Sequence, residues 1–408
     1  MGLTKKTRDS HRAGGAVLGV VLALLAPLLT AAPAGAGTTT IVSLTPPVVT
    51  GDAVFGQRLR TSDGTWTPDG LTFTYQWLRD GSPIGGATKR SYRLGLDDLG
   101  ASVTAEVTAS DGSGGSLAAD STPVGPVVKA DFADVPTPTV SGVRRFGRTL
   151  TAKVGAWTPR ATTVRLRWLR DGEPIDGARR ASYSLAPEDV GHRVRLQVTG
   201  SRAGYVTTRV LSSQGPVVAH RVPLRRTVSY HVETRGRITA NLAQFKEQVQ
   251  ETYDDPRGWR GAGIGFKRVK KGGAFTLVLA QASWVPRFSS ECSAQWSCRV
   301  GRFVIINQTR WLHASPAWNA AHRSRRDYRH MVANHETGHW LGHGHASCPG
   351  RGRLAPVMMQ QSKGTDGCRL NPWPLVSELW AHPSGKSWST GARASEQGRA
   401  SDRRVWVG

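Results

Sequence analysis

Acidic residues are scarce in this chain: 29 Asp and Glu stand against 54 Lys and Arg, for a formal net charge of +25. That imbalance points to polyanionic neighbours such as an anionic cell-wall polymer. No nucleic-acid recognition motif accompanies the charge, so a specific nucleic-acid partner is not expected. No long apolar run follows the N-terminus, which argues against a bundle of membrane spans. Cysteine is nearly absent, with four in 408 residues, all in the C-terminal half. None lies near the N-terminal leader described next, which excludes a lipid-modified cysteine there.

Residues 1–36 read as a signal peptide. Lys5, Lys6 and Arg8 precede an apolar stretch from Ala16 to Thr30, and Ala34-Gly35-Ala36 supplies a small-residue cleavage site. The chain is therefore expected to be secreted, in association with the cell wall or free of it. Cleavage would leave no stable membrane span; without it, the same segment would anchor the chain in a membrane. Four cysteines in an exported chain imply two disulfides, and three connectivities exist. The local pairing, Cys292–Cys298 with Cys348–Cys368, is the expected one.

A duplication follows. Phe55 to Thr108 matches Phe146 to Thr199 at a constant offset, without a gap. Gly64-Thr65-Trp66-Thr67-Pro68 recurs as Gly155-Ala156-Trp157-Thr158-Pro159, and Trp77-Leu78-Arg79-Asp80-Gly81 as Trp168-Leu169-Arg170-Asp171-Gly172. Alternating runs such as Val103-Thr104-Ala105-Glu106-Val107 have strand periodicity, and Asp-Gly pairs punctuate them. Two domain-sized β-sandwiches are predicted, at 42–128 and 136–220. They resemble the immunoglobulin-like repeats of bacterial surface proteins, without the cysteine pair of antibody domains. Their charges differ: six basic and nine acidic residues in the first, fourteen and five in the second.

From 221 to 382 strand and helix patterns mix, which predicts an α+β domain. Thr227 to Val232, Phe275 to Ala280 and Phe303 to Ile306 read as strands; Thr239 to Tyr253 and Arg326 to Leu341 read as helices. Residues 383–408, rich in Gly, Ser, Ala and Arg, read as a disordered basic tail.

The second helix carries His335-Glu336-Thr337-Gly338-His339-Trp340-Leu341-Gly342-His343-Gly344-His345, which fits H-E-x-x-H-x-x-G-x-x-H. Residues four apart share a helix face, so His335 and His339 can meet one ion, with Glu336 beside them. Gly342 can turn the chain back so that His345 becomes the third ligand. Three protein ligands with one open position suit a catalytic Zn²⁺. His343 and Cys348 are rival ligands by proximity, and Asn334 reads as an ordinary helix-surface residue.

The full motif resembles the metzincin metallopeptidases, named for a Met-containing turn beneath the metal. Pro356-Val357-Met358-Met359 stands in the corresponding order, with Met358 the structural turn residue and Met359 the alternative. Gln360 occupies the place where some metzincins carry a tyrosine ligand, so none is expected here. Together with Cys292 to Cys298, Val304-Ile305-Ile306-Asn307 and Asn371-Pro372-Trp373-Pro374, the motif also resembles a family of exported proteins of high-GC Gram-positive bacteria whose function is unknown. The metzincin resemblance implies a multidomain zinc metallopeptidase. It would hydrolyse peptide bonds of a protein or peptide substrate through a zinc-bound water, with Glu336 as general base. Phe275 to Ala280 or Phe303 to Ile306 would be the edge strand that aligns the substrate. The alternatives are a cell-wall amide hydrolase with the same site, or a non-catalytic cell-surface binding protein.

Overall fold

The computed structural model describes residues 40–380 and the strand 405–407, so the signal segment 1–36 lies outside the described residues. Two compact units divide between Val128 and Lys129.

The first unit is a β-sandwich whose strands pair antiparallel within each sheet. One sheet runs Val49–Thr50, Arg58–Thr61, Ser91–Arg93; the other runs Ser82–Pro83, Thr72–Arg79, Val103–Ser110, Ser116–Asp120. Val103–Ser110 alternates buried and half-buried residues without a break, as a strand with one face in the core must. Trp77 fills the centre, fully buried, and its indole N–H donates to the Lys89 carbonyl at 2.8 Å. Asp98 is also fully buried and accepts from Arg79 Nε at 2.7 Å, Tyr92 Oη at 2.8 Å and Gly95 N at 2.6 Å. A buried carboxylate is tolerable only with donors of this kind.

The second unit opens with a second sandwich of the same plan, Thr139–Ser141, Thr149–Lys153 and Ser182–Ser184 against Glu173–Pro174, Thr163–Arg170, Val194–Ser201 and Thr208–Leu211. Trp168 takes the place of Trp77, and Asp189 repeats the buried triad with Arg170 at 2.8 Å, Tyr183 at 2.7 Å and Ala186 N at 2.7 Å.

The C-terminal domain is built on a mixed sheet. Its strands are β1 (Arg226–Arg235), β2 (Ile264–Arg268), β3 (Phe275–Ala280), β4 (Cys298–Val300), β5 (Phe303–Asn307) and β6 (Val405–Val407), in the order β2-β1-β3-β5-β4-β6. The first four in that order are parallel, whereas β4 runs antiparallel to both β5 and β6. Every residue of β3 is buried, as in a parallel strand covered on both faces. Leu277, Leu279, Val304 and Ile306 face helices α1 (Leu242–Asp254) and α4 (Arg325–Trp340). Val278, Ala280 and Ile305 face the segment closed by the Cys292–Cys298 disulfide. Between β5 and α4 lie the short helices α2 (Gln308–His313) and α3 (Pro316–Ala320); α5 (Val376–Trp380) closes the domain.

Two sequence expectations change here. Phe275–Ala280 and Phe303–Asn307 are interior strands, each paired on both sides, so neither is an edge; the strand beyond them is β4. The tail 383–408 lies outside the described residues except for Val405–Val407, which pairs with β4, so structureless chain does not describe those three. Among the described residues no helix is long and apolar enough to cross a membrane.

Candidate metal centre

Helix α4 starts where Ser324 accepts the Asp327 N–H at 3.0 Å, a side-chain N-cap. It stops at Gly342, whose φ of 98° takes the chain out of the helix. Gly342 N–H donates to His339 O at 3.1 Å and His343 N–H to Gly338 O at 3.0 Å, the paired bonds of a Schellman turn. The turn brings His345 back over the helix, and Ala346 N–H fastens to Met358 O at 3.1 Å.

His335, His339 and His345 converge. Nε2 of His339 lies 3.1 Å from Nε2 of His335 and 3.2 Å from Nε2 of His345. The other ring nitrogens identify the tautomer: Nδ1 of His335 is 2.8 Å from Val357 O, and Nδ1 of His339 is 2.9 Å from His343 O. A carbonyl only accepts, so each Nδ1 carries the proton and each Nε2 presents a lone pair inward. Burial lowers the His335 pKa to about 4 and depresses that of His339 further, which keeps both rings neutral. Lone pairs this close repel unless a cation lies among them, so the donor set fits a divalent metal ion. His335 and His339 are buried and His345 is exposed, leaving one side of the cluster toward solvent.

Glu336 is fully buried, and neither carboxylate oxygen has a hydrogen-bond partner among the described residues. Burial pushes its carboxyl well above the ordinary carboxylate range. A buried acid without a partner, next in sequence to His335, fits a site that binds a cation.

Met358 is buried in the helix-side core, with its sulfur against Gly338, whereas Met359 packs with Ala355 and Cys368. Cys348 is bonded to Cys368 and so holds no thiolate for a metal. His343 is not part of the cluster: its ring stacks on Trp259 at 4.6 Å. Asn334 is fully buried rather than on a helix surface, donating to Pro372 O at 3.0 Å.

Several supporting residues carry little signal in the sequence. Glu378 accepts from Val357 N at 2.9 Å, Met358 N at 2.8 Å and Leu375 N at 2.7 Å, pinning the turn whose carbonyl orients His335. Trp259 Nε1 donates to Asn334 O at 2.9 Å, and Tyr253 Oη meets Thr337 Oγ1 at 2.8 Å inside the helix pair. The lone acid within Pro374-Leu375-Val376-Ser377-Glu378-Leu379-Trp380 was the one available hint of the first.

Residues 199–373 match the model of a family described as a protein of unknown function (DUF3152). The match is to a family without an assigned activity. It spans the histidine cluster, Met358 and both disulfides, but stops short of Glu378. No curated protein matches the chain. Among solved structures, a two-domain fibronectin type-III segment of chicken tenascin is 15% identical, covering 41% of this chain and 97% of that one, with a TM-score of 0.22. The N-terminal Ig1-2 module of the Drosophila receptor protein tyrosine phosphatase DLAR is 14% identical, covering 43% and 96%, with a TM-score of 0.13. Scores this low add nothing to the strand pairing itself, which makes the two N-terminal domains immunoglobulin-like sandwiches. The two disulfides suit an extracellular environment.

Proposed function

We propose that the C-terminal domain is a metzincin-type zinc peptidase of an exported protein, with His335, His339 and His345 as ligands and Glu336 as general base. The observation that carries this reading is the convergence of three Nε2 atoms, with the fully buried Glu336 carboxyl, next in sequence to His335, lacking a hydrogen-bond partner among the described residues. Bound there, Zn²⁺ supplies a Lewis acid that polarises a carbonyl and makes water more acidic. Glu336 takes the proton from the attacking water and hands it to the departing amine nitrogen. Nδ1 of His335 and Nδ1 of His339, held by carbonyls, keep both rings from turning.

The test is metal analysis of the purified chain together with hydrolysis of casein and of peptidoglycan by wild type and Glu336→Gln. The expected result is about one zinc per chain in both, with casein cleavage only in wild type. Cleavage of peptidoglycan alone would transfer the site to the wall-amide reading. Stoichiometric zinc with no hydrolysis of either would overturn the enzymatic reading.

A further inference from the structure

The two sandwiches share a core but not an outer face, and the register of their four-stranded sheets allows a position-by-position comparison. In the second sandwich Trp168 and Leu196 pair inward, so Arg167, opposite Gln197, and Arg165, opposite Thr199, point outward. Thr199 in turn pairs with Arg209, and Gln197 with Leu211; Arg195 lies on the same face, opposite Leu169. The equivalent rows of the first sandwich are Thr74–Thr108–Ala118 and Gln76–Glu106–Asp120, with Thr104 opposite Leu78. Across the six changed positions, Thr74, Gln76, Thr104, Glu106, Ala118 and Asp120 give way to Arg165, Arg167, Arg195, Gln197, Arg209 and Leu211. The same scaffold thus carries two acids and no base on one copy, and four arginines and no acid on the other.

None of the four guanidinium groups makes an ion pair among the described residues; the arginine pair of this sandwich is Arg170 with the buried Asp189. Arg165, Arg167 and Arg209 are exposed, while Nε of Arg195 is buried with no acceptor. A cation kept at such a position contributes nothing to the core, and like charges on one face repel. Residues that oppose folding and serve no internal partner are the mark of a surface made for an external one.

We infer that this face binds a linear phosphodiester polymer that lacks bases. Strand geometry sets Arg165 and Arg167 about 7 Å apart along the strand, and Arg165 and Arg209 about 10 Å apart across it, a grid that an extended polyanion can follow. Arginine provides every charge, and its planar fork matches the paired oxygens of a phosphodiester. The outward positions of these strands hold no aromatic ring, so nothing offers a stacking platform for bases. This assignment is independent of the metal site.

The experiment uses the full chain and immobilised poly(glycerol phosphate) in 50 and 200 mM salt. One variant places the first sandwich's residues on the second: Arg165→Thr, Arg167→Gln, Arg195→Thr and Arg209→Ala. A control removes four other exposed arginines: Arg145→Thr, Arg148→Gln, Arg179→Thr and Arg180→Ala. The face variant is expected to bind at least tenfold more weakly, with the log–log salt slope reduced by about three. The control should remain within threefold of wild type. Should the face variant fail to fold, the reciprocal change on the first sandwich (Thr74→Arg, Gln76→Arg, Thr104→Arg, Ala118→Arg) must raise affinity at least threefold. Equal weakening by both sets, no binding by wild type at 50 mM salt, or equal affinity for polyglutamate or single-stranded DNA would each overturn the inference.

Discussion

Gly338 and Met358 touch beneath the histidine cluster so closely that a methyl group on the glycine would overlap the methionine sulfur. It would also stand 2.7 Å from Cζ2 of Trp259. Gly338→Ala should therefore lower stability by about 1–3 kcal/mol through overpacking, despite the gain of ~1 kcal/mol that alanine brings to an open helix. The sign decides the matter: a higher midpoint in thermal unfolding of the metal-free protein would show that the space is not filled.

Glu378 offers a second handle on the same floor. Glu378→Gln replaces one acceptor oxygen with an amide that must face backbone N–H groups, which should cost about 2–3 kcal/mol in urea unfolding. Zinc affinity should fall about tenfold or more in a chelator competition, because Val357 O would no longer be fixed against Nδ1 of His335. Unchanged affinity alongside the lost stability would separate the turn from the ligand.

His330 gives a pH dependence that does not involve the ligands. It is buried, its Nδ1 lies 2.9 Å from Thr252 Oγ1, and burial lowers its pKa to about 4. The unfolded chain binds this proton below about pH 6.5 and the folded chain only below about 4, so stability falls as pH drops through that window. The full effect is at most about 3 kcal/mol. His330→Gln should flatten the slope of stability between pH 6.5 and 4 relative to wild type, measured with chelator present; parallel slopes would discount His330.

Cys348–Cys368 closes a longer loop than Cys292–Cys298, with separations of 20 and 6 residues. Chain entropy assigns the two about 3 and about 2 kcal/mol. Replacing the first pair with serines should also weaken zinc binding, since the loop contains Met358 and Val357; replacing the second should leave zinc binding within threefold. Isothermal titration on both variants tests the contrast.

Much of this was legible in the amino-acid sequence where the determinants are local. His335 and His339 share a helix face by spacing, Gly342 can adopt the positive φ that ends the helix, and Trp77 and Trp168 announce the duplicated core. Determinants supplied by distant chain were hidden. Asn334 looked like a surface residue until Pro372 and Trp259 closed over it. Phe275 to Ala280 and Phe303 to Ile306 read equally as edge strands in the sequence, because apolar composition reports burial and not strand order. Glu378 lies 20 residues beyond Met358, outside any local pattern.

The paired triads Arg79–Asp98–Tyr92 and Arg170–Asp189–Tyr183 have a consequence for how such a protein can change over evolutionary time. Each anchors its sandwich from within, through a carboxylate that no outward residue touches. With the interior held by the same few groups in both copies, substitutions on the outer strands leave that internal anchor in place. One duplicated domain can then diversify its exterior, for instance from acidic to basic, while its partner retains the ancestral chemistry.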